Sequence, residues 1–141
     1  MKSPNELLTI ALCCSDEERI SEFIYAVQSN KLASNFHAYR SGRELLHSIN
    51  LQLDHHHIIV LDDPIGDLTI EEIVAELKQN KKTRSIPVLV LSEDVSENAL
   101  SHYYSVPVNA VVRKPLRFSS VYQLLMSVES FWSHRAVLPF F

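Results

Sequence analysis

Apolar and polar positions follow two rhythms along this chain, and the two take turns. Short apolar runs at residues 7–14 (LLTIALCC), 58–61 (IIVL), 88–91 (VLVL) and 110–112 read as strands, and residues 35–39 form a short alternating one. Between them lie stripes at i, i+3, i+4, i+7: Ile20, Phe23, Ile24 and Val27; then Ile70, Ile73, Val74 and Leu77; and last Val121, Leu124, Leu125 and Val128. That spacing gathers apolar side chains on one face of a helix. Leu45, Leu46 and Ile49 suggest a shorter helix, and a weaker one runs from Ser96 to about Tyr104. Strand and helix alternating five times predict βαβ units and a parallel sheet with helices on both faces. The unbroken runs IIVL and VLVL suit central strands covered on both sides. Helix starts are marked too. Ser15…Glu18, Ser41…Glu44 and Thr69…Glu72 each spell S/T-x-x-E, the capping box that satisfies free N–H groups. Gly42 and Gly66 fall in predicted loops.

Composition narrows the class. The 141 residues are 46% hydrophobic and 21% charged, which suits one globular domain. A net charge of −4 argues against nonspecific nucleic-acid binding, which needs a basic surface. No apolar stretch approaches the roughly 20 residues of a membrane span. Cys13 and Cys14 are adjacent and predict no disulfide framework, which fits a reduced, cytoplasmic setting. They read as small buried hydrophobes; a redox role would need an exposed thiol of lowered pKa. His55–His57 cannot easily chelate one ion, because successive side chains of an extended segment point to opposite sides; they read as a solvated loop. Lys78, Lys81 and Lys82 suit the negative end of a helix dipole.

In an open parallel sheet, ligands bind beyond the carboxyl ends of the strands. The residues there are Ser15, Asp16 and Glu17 after the first strand, Asp62 and Asp63 after the third, Ser92 and Glu93 after the fourth, and Lys114 and Pro115 after the fifth. A carboxylate nucleophile, a second carboxylate for Mg²⁺, a hydroxyl and an ammonium at one edge can perform phosphoryl chemistry. A small hydrolase using Asp62 would need a cap domain and a second catalytic acid that this chain does not offer.

The pattern IIVLD (58–62), VLS (90–92) and VRKP (112–115) resembles the receiver domain of two-component response regulators. More narrowly, IPVLVLSE…HYYSVPVNAVVRKP and FWSHRAVLP are similar to the small single-domain regulators of cyanobacterial and bacterial phytochromes. The resemblance covers nearly the whole chain. It implies a flavodoxin-like fold with strand order 2-1-3-4-5, Asp62 as phosphoacceptor, Ser92 as switch hydroxyl and Lys114 as the lysine contacting the phosphoryl group. Asp16, Asp62 and the backbone carbonyl of Pro64 would hold Mg²⁺. The metal should bind weakly, since Ser15-Asp16 stands where the family has two acids; Glu17 or Glu93 could partly substitute. Gly66, Glu93 and Val111 also depart from the family pattern, at positions usually held by proline, a small residue and an aromatic.

The resemblance further implies a sensor histidine kinase of the phytochrome type as partner, and output by protein contact without nucleic acid or membrane. The protein would be a phosphoacceptor switch with weak self-dephosphorylation at most, not a metabolic enzyme. The runner-up is a degenerate receiver that acts as a phosphorylation-independent interaction module. Residues 1–132 form the receiver and 133–141 an apolar tail. Last strand, last helix and tail supply Tyr122, Phe131, Trp132, Leu138, Phe140 and Phe141 as anchors for a homodimer.

Overall fold

A computed structural model describes residues 9–29, 35–50, 56 and 58–114. The expected last helix, the tail, Pro115 and the 132/133 boundary lie outside the described residues. The chain runs β1 (Thr9–Cys13), α1 (Glu17–Ser29), β2 (Asn35–Tyr39), α2 (Gly42–Asn50), β3 (Ile58–Asp62), α3 (Ile70–Gln79), β4 (Val88–Ser92), α4 (Glu97–Tyr103) and β5 (Ala110–Arg113). The strands form one five-stranded sheet in the order β2-β1-β3-β4-β5, every pairing parallel. The fold class and the strand order are those expected from the sequence.

Strand pleating sorts side chains to opposite faces and so divides the core in two. Ile10, Leu12, Ile58, Val60, Leu89 and Leu91 pack with Ile20 and Phe23 of α1. Ala11, Cys13, Ile59, Leu61, Val88 and Val90 pack with Leu45 and Ile49 of α2, with Ile70, Ile73, Val74 and Leu77 of α3, and with Tyr103 of α4. β1, β3 and β4 are buried along their whole length, as their unbroken apolar runs require.

The caps hold with two adjustments. At α3 the full box forms: Thr69 Oγ1 accepts from the Glu72 N–H, and Glu72 Oε1 accepts from the Thr69 N–H. At α2, Ser41 Oγ accepts from the Glu44 N–H, but the Glu44 carboxylate reaches back to the Arg40 N–H. At α1 the cap is Asp16 rather than Ser15, its Oδ1 accepting from the N–H groups of Glu18 and Arg19 at 3.0 and 3.4 Å. Gly42 belongs to α2 itself; a Cβ there would stand 2.9 Å from the tips of Ile73 and Leu68, so its small size lets α2 close on α3. Gly66 is the loop glycine, at φ 111°, a backbone region costly for other residues. His56 corrects another expectation. It is buried against β2, its Nε2 lying 3.2 Å from both His37 Nδ1 and Tyr39 Oη. Burial is tolerated because the ring meets polar partners there.

Candidate functional site

The site lies at the carboxyl ends of β1, β3, β4 and β5, and pleat parity decides which residues meet. Asp62 continues the series Ile58, Val60, so it sits on the α1 face of the sheet. Lys114 continues Ala110, Val112, and Cys14 continues Ile10, Leu12, on that same face. Asp63 and Ser92 fall on the opposite parity, toward α3 and α4. Two polar groupings therefore form back to back.

On the first face, Asp62, 5% exposed, is held by Lys114, 7% exposed, whose Nζ lies 2.5 Å from Asp62 Oδ1. The same ammonium donates to the Asp63 carbonyl at 2.6 Å, which fixes its direction. Lys114 is placed by its own N–H, which bonds the Ser92 carbonyl at 2.8 Å and extends the β4–β5 ladder. Asp62 Oδ1 also accepts from Arg19 Nη1 at 3.3 Å, and Oδ2 faces Cys14 Sγ at 3.4 Å. A buried charge is tolerable only when paired and hydrogen-bonded, and Asp62 is both.

Cys13 and Cys14 are buried as expected. Burial, reinforced by neighbouring carboxylates, pushes the Cys13 thiol up to about 12. Burial likewise pushes Cys14 up to about 11, with Asp62 nearby. Both are therefore protonated at neutral pH, and Cys14 acts as a weak donor to Asp62. This is the opposite of a redox-active cysteine.

On the second face, Ser92 Oγ lies 2.7 Å from Tyr103 Oη and 3.1 Å from the Asp94 carbonyl. Tyr103 Oη donates to Asp63 Oδ2 at 2.5 Å. Burial and the Asp63 carboxylate push the Tyr103 phenol up to about 12. Among the described residues the Ser92 hydroxyl bonds Tyr103 and Asp94, not Asp62. Ser92 is thus brought to the edge of the site with its hydroxyl turned toward α4.

Asp16 is exposed on the β1–α1 loop, its Oδ2 lying 3.7 Å from Arg19 Nε. Pro64 is exposed and follows a cis peptide bond. Glu17 is drawn away by an ion pair with Arg40, and Glu93 pairs with Arg19 at 3.5 Å. Among the described residues no three His, Cys, Asp or Glu side chains converge as a metal cluster. The carboxylates of Asp16 and Asp62 nevertheless both reach one cationic group, the Arg19 guanidinium. Hard oxygen donors that share one stand-in cation fit a divalent ion of the Mg²⁺ type, with few charged ligands.

Asp62, Ser92 and Lys114 stand where their strand-end positions in the sequence put them. Arg19 and Tyr103 are site residues that the sequence alone does not single out. Each reaches the site from a helix, and the only signals were spacing: Arg19 three residues after the Asp16 cap, and Tyr103 on the sheet-facing side of α4.

No family model matches the chain. Its sequence is 30% identical over 82 residues to response regulator Rcp1 of Synechocystis sp., covering 58% of this chain and 56% of that protein. The chain therefore aligns with little more than half the length of this curated relative. Its structure is similar to the phosphorylated cyanobacterial phytochrome response regulator RcpA, with a TM-score of 0.75 at 24% identity over 92% of this chain and 96% of that one. It is also similar to the receiver domain of the sensor histidine kinase PA1611 from Pseudomonas aeruginosa, which holds a magnesium ion in its active-site cleft. That match has a TM-score of 0.75 at 13% identity over 89% and 99% of the two chains.

Proposed function

We propose that this chain, a receiver-fold homologue of response regulators close to the cyanobacterial phytochrome regulators, accepts a phosphoryl group on Asp62 from a sensor histidine kinase and signals by protein contact. One observation carries the reading. A buried carboxylate stands at the end of the central strand with a buried ammonium 2.5 Å from its Oδ1, at the sheet edge where ligands of such folds bind.

The chemistry follows from how the two carboxylate oxygens differ. Oδ1 carries both Lys114 and Arg19, while among the described residues Oδ2 meets only the weak Cys14 donor. Oδ2 is therefore the better nucleophile. Its lone pair forms the new P–O bond of an acyl phosphate. The P–N bond of the donor phosphohistidine breaks, and its electrons leave with the imidazole, which takes a proton from solvent. Lys114, aimed by the Asp63 carbonyl, neutralises charge on the transferring oxygens. Asp16, Asp62 and the Pro64 carbonyl would hold Mg²⁺, which when bound adds positive charge against those oxygens. Ser92 would turn its hydroxyl to a phosphoryl oxygen. That turn breaks its bond to Tyr103 and loosens α4 from the site, which gives the switch a route outward.

The finer reading is a phosphoacceptor switch in the cytoplasm with weak self-dephosphorylation, a phytochrome-type kinase, and a homodimer through β5, the last helix and the tail. β5 is one of the two edge strands and only partly buried, which is compatible with that face. No described helix is long and apolar enough to cross a membrane. The test is intact mass after incubation with acetyl phosphate and Mg²⁺. The wild type should gain one phosphoryl group and Asp62→Asn none. No gain in the wild type would leave the phosphorylation-independent interaction module.

A further inference from the structure

Arg19 occupies a position that helix physics disfavours. It is the third residue of α1, inside the first turn, where the helix dipole favours anions over cations. Three carboxylates offset this. Nε lies 3.7 Å from Asp16 Oδ2, Nη1 3.3 Å from Asp62 Oδ1, and Nη2 3.5 Å from Glu93 Oε1. Each guanidinium nitrogen thus addresses a carboxylate from a different segment: the β1–α1 loop, β3 and the residue after β4. The flat, delocalised, permanently charged fork suits such sharing better than an ammonium would.

We propose that Arg19 is a tethered counter-cation that holds the Asp16–Asp62 pocket in place of a divalent ion and competes with one for it. The inference rests on the reading of Asp16 and Asp62 as the metal-holding carboxylates and deepens it. Two of the three carboxylates that Arg19 bridges are those donors, so an ion entering between them meets a positive group already in place. The pocket has one acid fewer than a two-acid site because Ser15 stands beside Asp16, and a single positive charge is a closer match to what remains than a double one. Glu93, beside Ser92, takes the third arm of the fork and so belongs to the same arrangement. Asp62 keeps Lys114 whether or not Arg19 is present, so the site stays charge-paired when the guanidinium swings away. The Arg19 side chain is 40% exposed and has room to do so.

The experiment is calorimetric titration of the full chain with Mn²⁺, repeated for Arg19→Gln, Arg19→Lys, Asp62→Asn and Asp16→Asn. Removing a unit charge a few ångströms from a half-exposed dication site should tighten binding about tenfold in Arg19→Gln. Arg19→Lys should stay within about threefold of the wild type, since it keeps the charge. Asp62→Asn and Asp16→Asn should both weaken binding. An Arg19→Gln protein that binds Mn²⁺ no more tightly than the wild type, or no binding by either, overturns the inference. If Asp62→Asn and Asp16→Asn bind as the wild type does, the metal site lies elsewhere and the inference falls with the reading beneath it. Phosphoryl uptake from acetyl phosphate separates the two. Uptake on Asp62 with unchanged Arg19→Gln affinity removes only the counter-cation. Tighter Arg19→Gln binding without uptake removes only the phosphoacceptor.

Discussion

Asp62 and Asp63 are chain neighbours with opposite surroundings, because pleating turns one to the α1 face and the other toward α4. Asp62 is paired with Lys114 and Arg19, and Asp63 with Tyr103. Losing one partner of a buried ion pair is costly because the other is left charged and unpaired. Lys114→Met should therefore destabilise the fold by about 3 kcal/mol, at the low end of that range because Arg19 still faces Asp62. Urea unfolding measures it. High pH acts on the same neighbourhood. Tyr103 and the two cysteines are pushed up by burial, so the native state holds their protons more tightly than the unfolded chain does. Their stabilising contribution is complete below the ordinary thiol and phenol values of 9.0 and 10.0 and is lost as pH rises toward 11–12. Urea midpoints should fall from about pH 9 upward, and less steeply in Tyr103→Phe. A flat profile would mean that these groups titrate alike in both states. The residues doing this were unequally visible in the sequence. Asp62, Ser92 and Lys114 announce themselves as polar residues ending apolar runs. Arg19, Cys14 and Tyr103 do not, because their roles come from side-chain reach and pleat parity, and no local spacing encodes a contact between α1 and β3.

The elements were more legible than their contacts. All nine described elements were expected, with ends shifted by a residue or two, since apolar period and caps are local signals. The caps also show where local signals fail. Ser15-x-x-Glu18 has the letters of a capping box, yet Asp16 caps α1 and so ties that helix start to Arg19 and the acidic pocket. At α3 both halves of the box form, and Thr69→Ala should cost about 1 kcal/mol in urea unfolding. At α4 the link is the Ser92–Tyr103–Asp63 chain of hydrogen bonds. Tyr103→Phe leaves the Asp63 carboxylate without its donor and should cost about 1–2 kcal/mol. Hydrogen exchange should place the loosening in residues 97–103. Even protection there in mutant and wild type would detach α4 from the switch.

At the scale of the molecule, the described residues cover the sheet with α1 on one face and with α2, α3 and α4 on the other, and the strand ends converge on one edge. The two polar groupings at that edge lead to different helices, one through Arg19 to α1 and the other through Tyr103 to α4. The tail adds an oligomeric prediction. The intact protein should sediment at about 32 kDa, twice the 16.1 kDa chain, and removal of residues 136–141 should yield the monomer. A monomer at micromolar concentration before truncation would refute the dimer. Everything proposed for the site turns on Asp62 as the phosphoacceptor. The most direct test of that role is to treat the wild type with acetyl phosphate and Mg²⁺, reduce the acyl phosphate with borohydride, and sequence the peptides by mass spectrometry. Homoserine should appear at position 62 alone; homoserine at Asp16 or Asp63, or at no position, would refute Asp62 as the phosphoacceptor.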